Sequence, residues 1–214
     1  MTTIVSPNVV LASTSRYRRE LLRRILPAFR TENPLVDESP RPAETPLALA
    51  ERLARAKADA VPGDENTLVI GSDQVAEYRG RLLPKPGSSE AALEQLLHCR
   101  GQEIHFFTAV CVRSAGGAAG SRAHIDDTVV RFREFSDELA RRYVAWDEPG
   151  ACAGGFKIES AGPVLFDEVR SADPTALIGL PLIWLASALE SLGVELLGAP
   201  DLSSHGPATQ RSVR

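Results

Sequence analysis

LASTSRYRRELL, residues 11–22, joins an apolar strand to a helix through a hydroxyl-rich turn. Asn8 to Ala12 reads as the strand. Ser13, Thr14 and Ser15 form the turn, and Tyr17, Arg18 and Arg19 open the helix. Such a turn presents backbone N–H groups and hydroxyls beside the positive end of a helix dipole, an arrangement suited to a phosphate. Arg18 and Arg19 add guanidinium forks that match phosphate oxygens. The segment is not a Walker A loop, because it lacks G-x-x-x-x-G-K-[ST]. A capped surface helix with solvated arginines would carry the same residues, so the reading needs support from the rest of the chain.

That support begins with the alternation of strands and helices. Leu21, Leu22, Ile25 and Leu26 make one helical stripe, which Pro27 ends. Residues 33–46 are rich in proline and acid, carry Asp37 and Glu38, and read as loop. Thr45-Pro46 caps a second helix with the stripe Leu49, Leu53, Ala56 and Ala60, and with Arg52 and Lys57 on its rim. TLVIGS (67–72) is a continuous apolar strand, central to a sheet, that ends at Asp73. A hairpin is expected around Arg79-Gly80, then a helix capped by Ser88 or Ser89. Residues 103–113 and 123–132 read as long strands joined by a small, glycine-rich loop, 114–121. Ser136 caps a fourth helix, and a last one runs from near Pro181 to Gly193. The pattern predicts a layered α/β fold whose adjacent long strands make the sheet mixed. One domain is expected over 1–197, with a polar tail at 198–214.

Composition narrows the function. The chain has 214 residues, 43% hydrophobic and 24% charged, with a formal net charge of −4. That charge argues against a broad nucleic-acid surface but leaves room for a basic pocket. No apolar run has transmembrane length and no signal peptide is apparent, so no membrane partner and a cytoplasmic location are expected. Cys99, Cys111 and Cys152 form no metal pattern and read as reduced thiols. The four histidines share no ligand spacing. His105, on a strand, reads as structural.

Asp73 is the leading candidate for a catalytic or metal-binding carboxylate, because open α/β sheets place ligands at the carboxyl ends of their strands. Glu38 is a candidate second metal ligand. Lys57 and Lys85 can neutralise phosphate charge, and Lys85 is pre-ordered between Pro84 and Pro86. Ser13 is no nucleophile, since neither G-x-S-x-G nor a nearby histidine supports it.

These segments resemble the Maf family of nucleoside triphosphate pyrophosphatases. The blocks are LASTSRYRRELL (11–22), VDESP (36–40), ERLARAKA (51–58), IGSDQV (70–75), Lys85-Pro86, CRGQEIHFFTAV (99–110), TVVRFREFSDELARRYV (128–144), CAGGFKIES (152–160) and DPTALIGLPL (173–182). The resemblance spans about residues 8–195. It implies a mixed sheet with helices on both sides, similar to inosine triphosphate pyrophosphatases. It also implies cleavage between the α- and β-phosphates with a divalent cation, Mg²⁺ or Mn²⁺. The small-molecule partner would be a nucleoside triphosphate, and a homodimer stays open.

Within the family, DQ at 73–74, FKIES at 156–160 and ADPTALIGLPLI at 172–183 resemble the subgroup acting on 7-methyl-GTP. The resemblance assigns Tyr17, Gln74 and Glu159 to base selection. It gives Ser13, Arg18 and Arg19 to the triphosphate, Lys57 and Lys85 to charge neutralisation, and Glu38 and Asp73 to the metal, with Asp73 also as general base. A cationic 7-methylguanine favours an aromatic face and an anionic acceptor. Pro84, Gly155, Ile158 and the 160–163 run depart from the subgroup pattern. Two alternatives stand beside this reading: the same reaction on dTTP, UTP or CTP, and a nucleotide-binding regulator without turnover.

Overall fold

A computed structural model describes residues 7–116 and 120–198. The expected tail from 199 onward, the first six residues and the centre of the 114–121 loop lie outside the described residues. The chain order is β1 (Asn8–Ala12), α1 (Arg16–Arg23), β2 (Arg30–Glu32), α2 (Pro46–Ala60), β3 (Thr67–Tyr78) and β4 (Arg81–Leu83). There follow α3 (Ser89–Cys99), β5 (Glu103–Ser114), β6 (Ser121–Phe132), α4 (Asp137–Asp147), β7 (Phe166–Arg170) and α5 (Leu182–Ser191). The strands form one mixed sheet ordered β2-β1-β3-β5-β6-β7, with β4 paired to the far end of β3. β1 runs parallel to β2 and β3; the β3–β5, β5–β6 and β6–β7 pairs are antiparallel.

Period-two alternation sorts the strand residues onto two faces. On one face Val9, Leu11, Leu68 and Ile70 pack with Leu21 and Leu22 of α1 and Leu185 and Leu189 of α5. Further along it, Ala76, Phe106 and Phe132 meet Leu96 of α3 and Tyr143 of α4. On the opposite face Val10, Ala12, Val69 and Val75 pack with Leu49, Leu53 and Ala58 of α2. The mixed sheet with helices on both sides is therefore as expected. The caps hold too: Thr45, Ser88 and Ser136 each accept from a backbone N–H in the first turn.

Four details differ from the sequence reading. β3 continues through Asp73 to Tyr78 and forms the expected hairpin with β4, so Asp73 lies inside the strand. The buried stripe of α2 is Leu49, Ala50, Leu53, Ala54, Lys57 and Ala58, whereas Ala60 is exposed. Lys57 therefore points inward instead of lying on the rim. It follows Leu53 by four residues, which places both on one helical face. α1 ends at Arg23, so Ile25 and Leu26 pack from the segment after it. Finally, β2 and β7 are short edge strands with mostly exposed residues, RTE and FDEVR, and lack the apolar alternation that marks a strand.

One register decides where a ligand can enter. Ala12, the last residue of β1, pairs with Gly71, and β4 joins β3 only at Ala76. Along that edge of β3, residues 72–75 have no neighbouring strand among the described residues. The gap opens both faces of the sheet at one place.

Candidate active site

A cavity of about 500 Å³ occupies this gap, a size ordinary for small-ligand sites. It is walled by the turn after β1, the start of α1, the 33–38 segment, Lys57, Asp73 and Gln74, Lys85, and the 151–159 and 177–179 segments.

The β1–α1 turn is held by its own hydroxyls. Ser15 N–H donates to Ser13 Oγ at 3.1 Å, and Arg18 N–H donates to Ser15 Oγ at 3.4 Å. Ser13, Tyr17 and Arg18 all reach the cavity wall. Arg19 does not. It is exposed and absent from the lining, while Arg16 takes a place there. Each residue along the helix turns the side chain by about 100°, so the arc Arg16–Arg18 faces the cavity and Arg19 points past it to solvent. Arg18 Nε donates to the Gly179 carbonyl at 2.9 Å. Burial lowers the pKa of its guanidinium, and the charges of Asp73 and Glu38 oppose that shift.

Asp73 and Gln74 are consecutive and point to opposite faces of the sheet. Asp73 faces α2, where Lys57 Nζ lies 2.7 Å from its Oδ1 and 2.5 Å from Glu38 Oε1. Gly71 permits this approach. A Cβ there would lie 2.1 Å from the Ala54 carbonyl oxygen and 2.5 Å from the Ala58 nitrogen. Burial raises the Glu38 pKa, but the Lys57 hydrogen bond and the charges of Lys57, Lys85 and Arg18 outweigh it and leave a net lowering. The loop carrying Glu38 is tied down by Arg52, which meets Glu44 at 2.6 Å and donates to the Ser39 carbonyl at 2.9 Å. Lys85 lines the same cavity from an exposed position.

Gln74 reaches the other face. Its amide nitrogen lies 3.0 Å from Thr108 Oγ1 and from the carbonyls of Ala176 and Leu177. Tyr17 and Glu159 share the cavity, Glu159 exposed and Tyr17 half-buried. Burial, followed by the Cys152 and Glu159 charges, pushes the Tyr17 hydroxyl up. The Arg16 guanidinium lies 5.9 Å from the centre of the Tyr17 ring. Behind Glu159, Lys157 N–H donates to the Tyr143 hydroxyl at 2.9 Å. Asp147 accepts from Ser160 Oγ at 2.6 Å and from Ala161 N–H at 3.1 Å. The sequence places Arg52 only on a helix rim and assigns no site role to Tyr143 or Asp147. Each lies on a helix and reaches a loop eight to fourteen residues away, beyond the i±4 spacing that a helical pattern reports.

The structure thus brings together Ser13, Tyr17, Arg18, Glu38, Lys57, Asp73, Gln74, Lys85 and Glu159. The arrangement sets three cations beside two carboxylates, with an aromatic ring and a third carboxylate at the same cavity. No cluster of three or more His, Cys, Asp or Glu able to hold a metal exists among the described residues. Glu38 and Asp73 nevertheless fit a hard divalent cation, which is often bound through one or two carboxylates with the remaining ligands from phosphate. Cys99, Cys111 and Cys152 are free thiols. His105 pairs with Asp127 at 2.9 Å, across the β5–β6 pair. No helix among the described residues is long and apolar enough to cross a membrane.

Comparison with known proteins gives the family. Residues 8–192 match the profile of Maf-like proteins. The 7-methyl-GTP pyrophosphatase of Burkholderia thailandensis is 44% identical over 206 residues, covering 94% of each chain. That of Xanthomonas campestris pv. campestris is 47% identical over 191 residues, covering 89% of this chain and 98% of its own. Among solved structures, the Ham1 protein of Staphylococcus aureus aligns over 61% of this chain and 72% of its own, with a TM-score of 0.40 and 19% identity.

Proposed function

The chain belongs to the Maf family, and on that premise we propose that it hydrolyses 7-methyl-GTP to the monophosphate and pyrophosphate. It is a nucleotide pyrophosphatase. The observation that carries the reading is the open stretch of β3, where Asp73 faces Lys57 and Glu38 on one side while Tyr17 and Glu159 line the same cavity.

The triphosphate lies against the Ser13–Ser15 turn and Arg18, with Lys57 and Lys85 neutralising charge on the phosphates. Asp73 takes a proton from water as the water oxygen attacks the α-phosphorus. The bond from that phosphorus to the bridging oxygen breaks, and pyrophosphate leaves with its electrons. No covalent enzyme intermediate is required. Catalysis of this kind is mainly positioning and electrostatics. Glu38 and Asp73 would hold a divalent cation, Mg²⁺ or Mn²⁺, which supplies Lewis-acid polarisation of phosphoryl oxygens when bound.

The base contacts follow from charge. A 7-methylguanine ring is cationic and stacks favourably on Tyr17. Glu159 accepts from guanine N1–H and the exocyclic amine while complementing the ring charge. Uracil or thymine presents a single N–H and no positive charge, so it uses Glu159 less well.

Asp73→Asn tests the chemistry. The amide is nearly isosteric, but it is neutral and cannot act as a base. Pyrophosphate release at saturating Mg²⁺ falls by roughly 10²–10⁴-fold from loss of the base alone, with the melting temperature close to wild type. Near-native release would remove Asp73 from the mechanism.

A further inference from the structure

Glu159 stands in a short segment whose flanking residues are bonded to the last turn of α4. Before it, Lys157 N–H donates to the Tyr143 hydroxyl at 2.9 Å, and Lys157 Nζ donates to the Asp147 carbonyl. After it, Ser160 Oγ donates to Asp147 Oδ1 at 2.6 Å and Ala161 N–H to Asp147 Oδ2 at 3.1 Å. The Glu159 side chain is exposed at the cavity and has no hydrogen bond or ion pair of its own among the described residues. Tyr143 and Asp147 lie four residues apart, on one face of α4. Both are buried, and Tyr143 belongs to the same core cluster as Phe132 and Phe156. Asp147 is costly where it stands. It is the last residue of α4, at the negative end of the helix dipole, and that turn holds no basic residue. Burial adds to the cost. The helix alone gives no reason for a carboxylate here; the two donors beside Glu159 do.

We infer that Asp147 is a positioning residue that sets where Glu159 meets the base, with Ser160 as its link to the segment and Tyr143 as a second hold. This rests on the reading of Glu159 as the acceptor for the base. Tyr143, Asp147 and Ser160 do not line the cavity, so their effect on a ligand runs through the segment they hold. Pinning both flanks leaves Glu159 only its side-chain rotations. Backbone ordered before the ligand arrives is not ordered at the expense of binding, which favours the ligand that uses Glu159 most. Ser160 stands in the 160–163 run that departs from the subgroup pattern, so this link belongs to the chain's own sequence.

The test is kcat/KM for 7-methyl-GTP and UTP on wild type, Ser160→Ala, Asp147→Asn, Glu159→Ala and the Ser160→Ala/Glu159→Ala double variant. Melting curves set an assay temperature at which each is folded. Ser160→Ala removes one bond and no charge, at an exposed position, and is expected to lower the value on 7-methyl-GTP by about three- to tenfold. Asp147→Asn is expected to lower it on the order of tenfold. UTP turnover changes by less than about twofold in both, and Ser160→Ala costs less than about twofold once the Glu159 side chain is gone. Equal losses on both substrates, or the same Ser160→Ala loss with and without that side chain, would overturn the inference. A loss from Asp147→Asn with none from Ser160→Ala would assign the effect to the Asp147 charge, which is felt at Tyr17, and would overturn it too. A wild-type preference for UTP would instead sink the 7-methyl-GTP reading. Coupling of Ser160 to Glu159, read on UTP, would then decide the inference separately: its presence supports it and its absence overturns it.

Discussion

Leu35 sits at the lip of the cavity in a conformation that L-residues avoid. Its φ is 45° and its side chain is 85% exposed. A left-handed backbone costs a non-glycine residue about 1–2 kcal/mol, and exposure of a leucine returns nothing for it. Strain of this kind persists at ligand sites, and an apolar side chain at the lip is placed to lose water when a base enters. Leu35→Gly removes the strain, although glycine also gains freedom in the unfolded chain. The net expectation is a rise in melting temperature of about 1–3 °C, together with a fall in kcat/KM of roughly three- to tenfold. Thermal melts and initial rates on the same preparations check both signs. Greater stability with unchanged kcat/KM would mean that Leu35 does not touch the nucleotide. At this scale the sequence showed which residue types could do the chemistry. It misplaced Lys57 because a lysine inside an apolar stripe is normally read as rim, and the carboxylates that justify burying it come from residues 38 and 73.

At the scale of elements, catalytic geometry depends on how closely α2 lies on β3. Gly71 sets that distance, since any Cβ would strike the α2 backbone. Gly71→Ala must push α2 outward and carry Lys57 away from Asp73. The expected cost is about 1–3 kcal/mol of stability, as for overpacked cores, with a loss of turnover larger than the stability change explains. Denaturant unfolding paired with kcat below the transition separates the two; full activity in a destabilised variant would show that the Lys57–Asp73 contact is not limiting. The acidic loop supplies a second test, in pH. Bonding to Arg52 lowers the Glu44 carboxyl from 4.5 to about 2, and Glu38 is also lowered. A folded-state pKa below the unfolded value gives stability that is complete above about pH 4.5 and is lost as pH falls toward 2. Melting temperature followed from pH 6 to 2.5 should therefore drop for wild type, and Glu44→Gln should start lower and drop less. Parallel curves would remove the Arg52–Glu44 tie from the account. The helices were legible here because caps and stripes are local signals. β2 and β7 were not, since edge strands with mostly exposed residues have no apolar alternation to read.

Across the whole molecule, the site exists because β1 stops at Ala12 while β3 continues to Tyr78. Sequence reading placed Asp73 at a strand end. The true relation is that a neighbouring strand ends there, which leaves both faces of β3 open to one ligand. Strand termination is a property of a pair, so an apolar run such as TLVIGS cannot report it. Asp73 and Gln74 alternate across the sheet: Asp73 meets Lys57 on the α2 side, and the Gln74 amide meets the Ala176 and Leu177 carbonyls on the other. Tyr17 and Glu159, from elements more than a hundred residues apart, meet at the same cavity, and on them the substrate assignment depends. The most direct measurement is kcat/KM for 7-methyl-GTP, GTP, UTP and dTTP on wild type and Glu159→Gln, at one pH and one Mg²⁺ concentration, with products resolved. The account predicts the highest wild-type value on 7-methyl-GTP, with pyrophosphate and monophosphate released in equal amounts. Glu159→Gln should lose roughly ten- to a hundredfold on that substrate, the worth of a charge-assisted hydrogen bond, and be unchanged on the pyrimidines. A wild-type preference for UTP or dTTP, or equal losses on every substrate, would contradict it.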